Sequence, residues 1–140
     1  MPQLFRGMKE SSGGLPEVGA SSRTLGVRPR FDVLAGNPGD IVQPGQGGLS
    51  ISPHDPMNLP RHRRPPDLQG VGKDPVWCIE DTELGPDLVY RRDPAQQGHG
   101  FIEPARPMTL ADYQDALAQT QARWIRLGSR PDAGGDADAT

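Results

Sequence analysis

The sequence predicts an α+β domain: a small, mostly antiparallel sheet with a C-terminal helix packed on it. Three observations predict it. Residues 110–127 place apolar side chains at spacings of three and four, the period of one helical face. Upstream, short apolar runs are separated by turn residues, a strand-and-loop pattern. The chain has 140 residues, which suits one domain with one modest core.

Taken in order, residues 3–9 read as a first strand, with Leu4, Phe5 and Met8 apolar and Arg6 embedded among them. Residues 10–22 are a loop by composition. Residues 24–34 alternate weakly and are expected to supply a second strand. The turn Pro44-Gly45-Gln46-Gly47-Gly48 leads into a strand at residues 49–52. Residues 53–72 hold five prolines and the run Arg61-His62-Arg63-Arg64, and read as a long exposed loop. Residues 76–80 and 88–92 are short strands, and a turn at 94–98 precedes the strand that begins at His99. Pro104 and Pro107, which lack an amide donor, end or edge that strand.

Thr109, with Asp112 three residues on, resembles a capping box and starts the helix. Leu110, Tyr113, Leu117, Thr120, Trp124 and Leu127 then share one face, and Tyr113 and Trp124 are expected in the core. Gly128 is the expected C-cap. Residues 1–128 form the expected single domain, and the small, acidic tail 129–140 is expected to be disordered.

Composition narrows the function classes. Apolar residues make up 34% of the chain and aromatics 5%, with 18 glycines and 16 prolines, so long loops are expected. A net charge of -3 gives no general attraction to nucleic acid or acidic membranes. The single cysteine, Cys78, rules out an internal disulfide and reads as an inert strand residue. No apolar run reaches membrane-spanning length, and the N-terminus lacks a signal-peptide core, so a cytoplasmic site of action is expected. There is no Walker-type phosphate loop. His54, His62 and His99 are scattered without cysteines, so no metal site is expected. The run from Arg61 to Arg64 is short and lacks interleaved aromatics. It is more often a solvated loop than a nucleic-acid patch, although it could steer an anionic ligand.

Three residues stand out chemically. Arg6 lies in an apolar strand, where a charge is costly unless it is paired or holds an anion. Ser50 follows a double glycine at a strand start, where its hydroxyl can face an open cleft. His99 sits between Gly98 and Gly100, which leaves room for a ligand to approach the backbone. Each of these features is more often structural, and composition and spacing leave the function open.

The order of the motifs adds a resemblance. LFRGM at 4–8, PRFDVLAG at 29–36, QPGQGGLS at 43–50, PDL at 86–88 and HGFIEPARPM at 99–108 occur in sequence. Together they resemble the NAD-dependent toxin family first known as bacterial type VI secretion effectors, which has fungal relatives. The last motif is fairly specific, and Gly-Gly-x-Ser moderately so. The resemblance implies an ADP-ribosyltransferase-like fold, NAD as the co-substrate, and a toxin that transfers ADP-ribose to a macromolecular acceptor or consumes NAD. It places Ser50 and His99 at the family's cleft as catalytic and NAD-binding groups, and Arg6 on the strand that holds the dinucleotide. It also implies a neutralising immunity or antitoxin protein that covers the cleft, and export by a specialised secretion system without a signal peptide.

Many transferases of this fold class use a glutamate to stabilise the departing sugar. Glu80, Glu83 and Glu103 are available, and Glu103 is favoured as a general acid or base because alternation puts it on His99's face. Two departures matter. Leu49 replaces the family's threonine beside Ser50, and Arg106 replaces a lysine. The rival readings are a non-catalytic relative that binds a protein partner, and an enzyme of this fold acting on RNA ends.

Overall fold

The computed structural model describes residues 2–127, so the expected C-cap at Gly128 and the tail 129–140 lie outside the described residues. The elements in chain order are β1 (Gln3–Gly7), β2 (Ile41–Val42), β3 (Leu49–Pro53), β4 (Val76–Glu80), β5 (Leu88–Arg92), β6 (Gly100–Pro104), β7 (Met108–Thr109), α1 (Leu110–Gln119) and β8 (Ile125–Arg126). Six strands form one sheet in the order β5-β6-β3-β1-β4-β8, and β2 and β7 form a separate two-stranded ribbon. The pairings between these strands are antiparallel. This is the α+β architecture the sequence predicts.

The N-terminal strand is central. Phe5 of β1 lies opposite Ser52 of β3 on one side and Cys78 of β4 on the other. Leu4 belongs to the main core with Leu49, Ile51, Ile79 and Tyr113, while Phe5 packs with Leu59 and Val76 in a second cluster. A strand buried on both faces reads as a continuous apolar run rather than an alternating one, which explains the sequence around Arg6. Helix α1 starts where expected: the Thr109 hydroxyl oxygen accepts the Asp112 amide at 3.1 Å. It buries Leu110, Tyr113, Ala116 and Leu117.

Three expectations change. The strand expected at 24–34 does not form, because a side chain takes the place of a neighbouring strand. Gln114 donates to the Val27 carbonyl at 2.8 Å and accepts the Val27 amide at 3.0 Å, imitating a ladder pair. Just beyond, the Arg28 amide turns back onto the Asp32 carboxylate at 2.7 Å, and Arg30 is left-handed with φ 67°.

The helix also stops at Gln119 rather than continuing to 127. The Thr120 hydroxyl donates to the Leu117 carbonyl at 2.7 Å and accepts the Trp124 indole N–H at 2.9 Å. This side-chain bonding competes with the helical ladder. Trp124 becomes extended yet stays buried, and β8 joins the sheet edge beside β4. Trp124 and Tyr113 are core residues, as the sequence indicates.

The loop at 53–72 carries three single 3-10 turns, Pro56–Asn58, Arg61–Arg63 and Pro66–Leu68. The Arg64 guanidinium ties them together, donating to the carbonyls of Leu59 at 3.0 Å and Leu68 at 2.5 Å. Through Leu59 and Leu68 this loop covers Phe5.

Candidate active site

The site is built on the pairing of β3 with β6, where Ser50 lies opposite Phe101. The β5–β6 connection brings two further groups to this place. Asp93 opens the turn by accepting the Ala95 amide through Oδ1 at 2.8 Å, and its own amide donates to the His99 carbonyl at 3.0 Å. Gly98, with φ 75°, takes the left-handed turn position and packs so closely on the Asn58 side chain that a Cβ would lie 3.1 Å from Asn58 Cγ. The turn therefore delivers His99 with little freedom.

The result is a hydrogen-bonded chain of three side chains. His99 Nδ1 lies 2.8 Å from Asp93 Oδ2, and His99 Nε2 lies 2.5 Å from Ser50 Oγ. Asp93 is held below the usual carboxylate range, first by its bond with His99 and then by the Ala95 amide. An ionised Asp93 can only accept, so Nδ1 carries a proton, and in the neutral imidazole Nε2 offers its lone pair. The Ser50 hydroxyl then donates to Nε2. The Phe101 ring stands edge-on to the imidazole, with centroids 4.9 Å apart.

Arg6 supports this chain from behind. Its side chain is only 7% exposed. Nη1 donates to the Ser50 carbonyl at 2.8 Å, Nη2 to the Thr24 carbonyl at 2.8 Å, and further contacts reach the carbonyls of Ser21 and Ser22. Burial lowers its pKa to about 10, so it stays charged at neutral pH. The guanidinium is solvated by carbonyl dipoles rather than by a carboxylate. Most of its donors are committed to the backbone, which favours a positioning role over a direct bidentate hold on phosphate.

Glu103 is in a different setting. Its side chain is 1% exposed and does not line the cavity described below. Oε1 accepts the Gly45 amide at 2.8 Å and Arg91 Nε at 2.6 Å. Pleat alternation puts it on the sheet face of Phe101, as the sequence indicates, but its carboxylate anchors the glycine turn instead of opening to the cleft. That turn is tight. A Cβ on Gly48 would lie 2.6 Å from the Ile102 carbonyl oxygen and 2.7 Å from the Tyr113 hydroxyl. The same hydroxyl accepts the Leu49 amide at 3.0 Å and donates to the Ile102 carbonyl, bridging β3 to β6. Glu80 and Glu83 do not line the cavity either.

The cavity holds about 520 Å3, within the range of small-molecule sites. Ser50, His99 and Arg6 line it together, joined by Arg28, Arg63 and Phe31. Among the described residues Asp32 is the one carboxylate in its wall, and it is paired with Arg28 at 3.0 Å. Among the described residues Arg63 makes no ion pair or side-chain hydrogen bond. The wall therefore carries an excess of positive charge, which suits an anionic ligand. Phe31 is 81% exposed and offers a flat apolar surface at the rim, with the Arg28 guanidinium 5.6 Å from its ring centre. Among the described residues, no group of three or more His, Cys, Asp or Glu side chains could hold a metal ion, and no helix is long and apolar enough to cross a membrane.

The structure brings together Arg6, Ser50 and His99, the residues singled out in the sequence, with Arg63 of the basic run, and adds Asp93, Arg28 and Phe31, which sequence reasoning did not single out. Asp93 carried a readable signal, since Asp-Pro at a hairpin opening both starts the turn and faces the residue that closes it. Leu49 is buried in the main core, facing away from Ser50's side of the sheet. A hydroxyl there would point into the core, so this departure bears on packing more than on the cleft. Cys78 is partly buried, and burial raises its thiol pKa, consistent with an inert group.

The family model for the Tse2 ADP-ribosyltransferase toxin matches residues 3–126. The chain belongs to this family. The match spans every strand of the sheet and helix α1, and it includes Arg6, Ser50, Asp93 and His99. Membership supports a toxin with ADP-ribosyltransferase chemistry in general terms. No curated protein and no solved structure matches the chain.

Proposed function

We propose that the cavity binds NAD and that the toxin, acting in the cytoplasm, transfers ADP-ribose from it to a cellular macromolecule or consumes it. The observation that carries this reading is the Ser50–His99 hydrogen bond inside a cation-lined cavity, in a chain of a transferase toxin family. The residues fit the dinucleotide. Arg63, without an ion pair among the described residues, offers a cation for a phosphate, with Arg28 in the same wall and the buried charge of Arg6 behind. Phe31 offers a stacking surface for a base. Ser50 and His99 hold hydroxyls of the nicotinamide ribose, and NAD supplies the activated glycosidic bond. The fixed dipoles and charges of the wall stabilise the positive sugar as that bond breaks. An immunity protein would neutralise the toxin by covering the cleft, with Phe31 as an exposed apolar anchor at its rim.

The rival readings rest on features the structure places as follows. The non-catalytic reading leaned on Leu49, whose side chain is in the core, and on the lack of a clear glutamate, and Glu80, Glu83 and Glu103 do not line the cavity. The RNA reading leaned on the run Arg61 to Arg64, which is not one patch: Arg64 is spent inside its loop and Arg63 lines the cavity. The test is induced cytoplasmic expression together with NAD consumption by the purified protein. The parent should arrest growth and consume NAD, and Ser50→Ala and His99→Ala should relieve both at equal protein level. A well-expressed parent that neither harms cells nor binds NAD overturns the proposal.

A further inference from the structure

The Asp93–His99–Ser50 chain does more than hold a ribose. An imidazole whose Nδ1–H is fixed on a carboxylate, with its Nε2 lone pair on a serine hydroxyl, is the arrangement that makes serine a nucleophile. The contact to Ser50 is 2.5 Å, and Ser50 faces a cavity wide enough for a ligand. Simple ribose binding needs neither the fixed tautomer nor a base on the serine. Asp93 is a positioning residue here, since it acts through His99.

We infer that Ser50 is the nucleophile that first receives the ADP-ribosyl group, so that the enzyme works through a covalent Ser50 adduct. The inference rests on the NAD reading above. In the first step a bond forms between Ser50 Oγ and the anomeric carbon of the nicotinamide ribose. The bond from that carbon to the pyridinium nitrogen breaks, and its electron pair leaves with neutral nicotinamide. The Ser50 proton moves to His99 Nε2, giving an imidazolium steadied by Asp93. In the second step an acceptor hydroxyl or water gives its proton to His99, now neutral again after releasing the first proton to solvent, and displaces Ser50 Oγ. The serine recovers a proton from His99. Two displacements at one carbon retain its configuration, whereas a single direct attack inverts it.

Two measurements on the full chain test this. A fluorophosphonate probe reads serine nucleophilicity without NAD: the parent should be labelled at Ser50, located by peptide mass spectrometry. His99→Gln should abolish labelling, and Asp93→Asn should slow it by roughly 10²-fold or more while the variant stays folded and still binds NAD. Asp93→Glu should recover part of the rate, which a merely structural role would not predict. The second measurement incubates the protein with an NAD analogue carrying fluorine in place of the ribose 2′-hydroxyl, which slows breakdown of the adduct. Ser50 should gain one ADP-ribosyl analogue, and with ordinary NAD and methanol as acceptor the product should retain the β configuration. NAD binding with an inverted product and no Ser50 adduct overturns the covalent step and leaves the NAD reading standing. A folded protein that does not bind NAD overturns both.

Discussion

Replacing Arg6 by lysine separates a positioning role from a phosphate-binding one. Both side chains carry the charge, but only the planar guanidinium can reach the Ser50 and Thr24 carbonyls at once, each at 2.8 Å. An ammonium can keep one of these and abandons the other in a setting that is almost fully buried. Losing one charged hydrogen bond costs about 1.5–3 kcal/mol, and a buried carbonyl left short of a partner adds about 1–3 kcal/mol, for a total of about 2.5–6 kcal/mol. That is a large share of the roughly 5–15 kcal/mol that stabilises a domain. Urea unfolding should therefore show a lower midpoint for Arg6→Lys with an unchanged slope. Toxicity should fall with it, because the Ser50 backbone loses its tether. A stability loss below about 1 kcal/mol, an ordinary surface effect, together with weaker NAD binding, would refute the positioning role and return Arg6 to the phosphate.

Two further outcomes follow from the same geometry. Tyr113→Phe removes the hydroxyl that bridges the Leu49 amide to the Ile102 carbonyl at a fully buried point. A loss of about 2–4 kcal/mol is expected, and thermal unfolding of the purified variant checks it; a change under about 0.5 kcal/mol would sink the bridge. The acid side of the stability curve should carry a share from Asp93, whose folded pKa lies below its ordinary value because His99 and the Ala95 amide bond to the ionised form. That contribution is present at neutral pH and is lost as pH falls through the depressed carboxylate range. Urea midpoints measured against pH should fall less steeply toward acid for Asp93→Asn than for the parent, and parallel curves would refute the linkage.

The parts of the fold that were legible in the sequence were those held by local signals. The Thr109 cap, the spacing of Leu110, Tyr113 and Leu117, and the strands bounded by turn residues all follow from the chain's own periodicity. The parts that were not legible depend on partners far along the chain. Val27 looks like a strand residue until Gln114 occupies its backbone. Trp124 keeps the helical period, yet Thr120 diverts the chain one turn earlier. The site divides in the same way. Ser50 and His99 could be picked out by their glycine neighbours and by resemblance. Asp93 becomes meaningful only when the hairpin closes it onto His99. Glu103, attractive by alternation, is claimed by Gly45 and Arg91, which no spacing rule foresees.

The place of β1 has a consequence for how the protein comes into being. This strand is made first, yet it pairs Phe5 with Ser52 on one side and Cys78 on the other, while Ser50 waits for the still later hairpin that carries Asp93 and His99. Few native contacts can form early, and non-local pairing of this kind slows folding. A chain still emerging during synthesis lacks its histidine, its helix and the wall of its cavity. The Ser50–His99–Asp93 arrangement is thus assembled only after the late hairpin has paired β6 with β3, so the site forms last in the order of the chain.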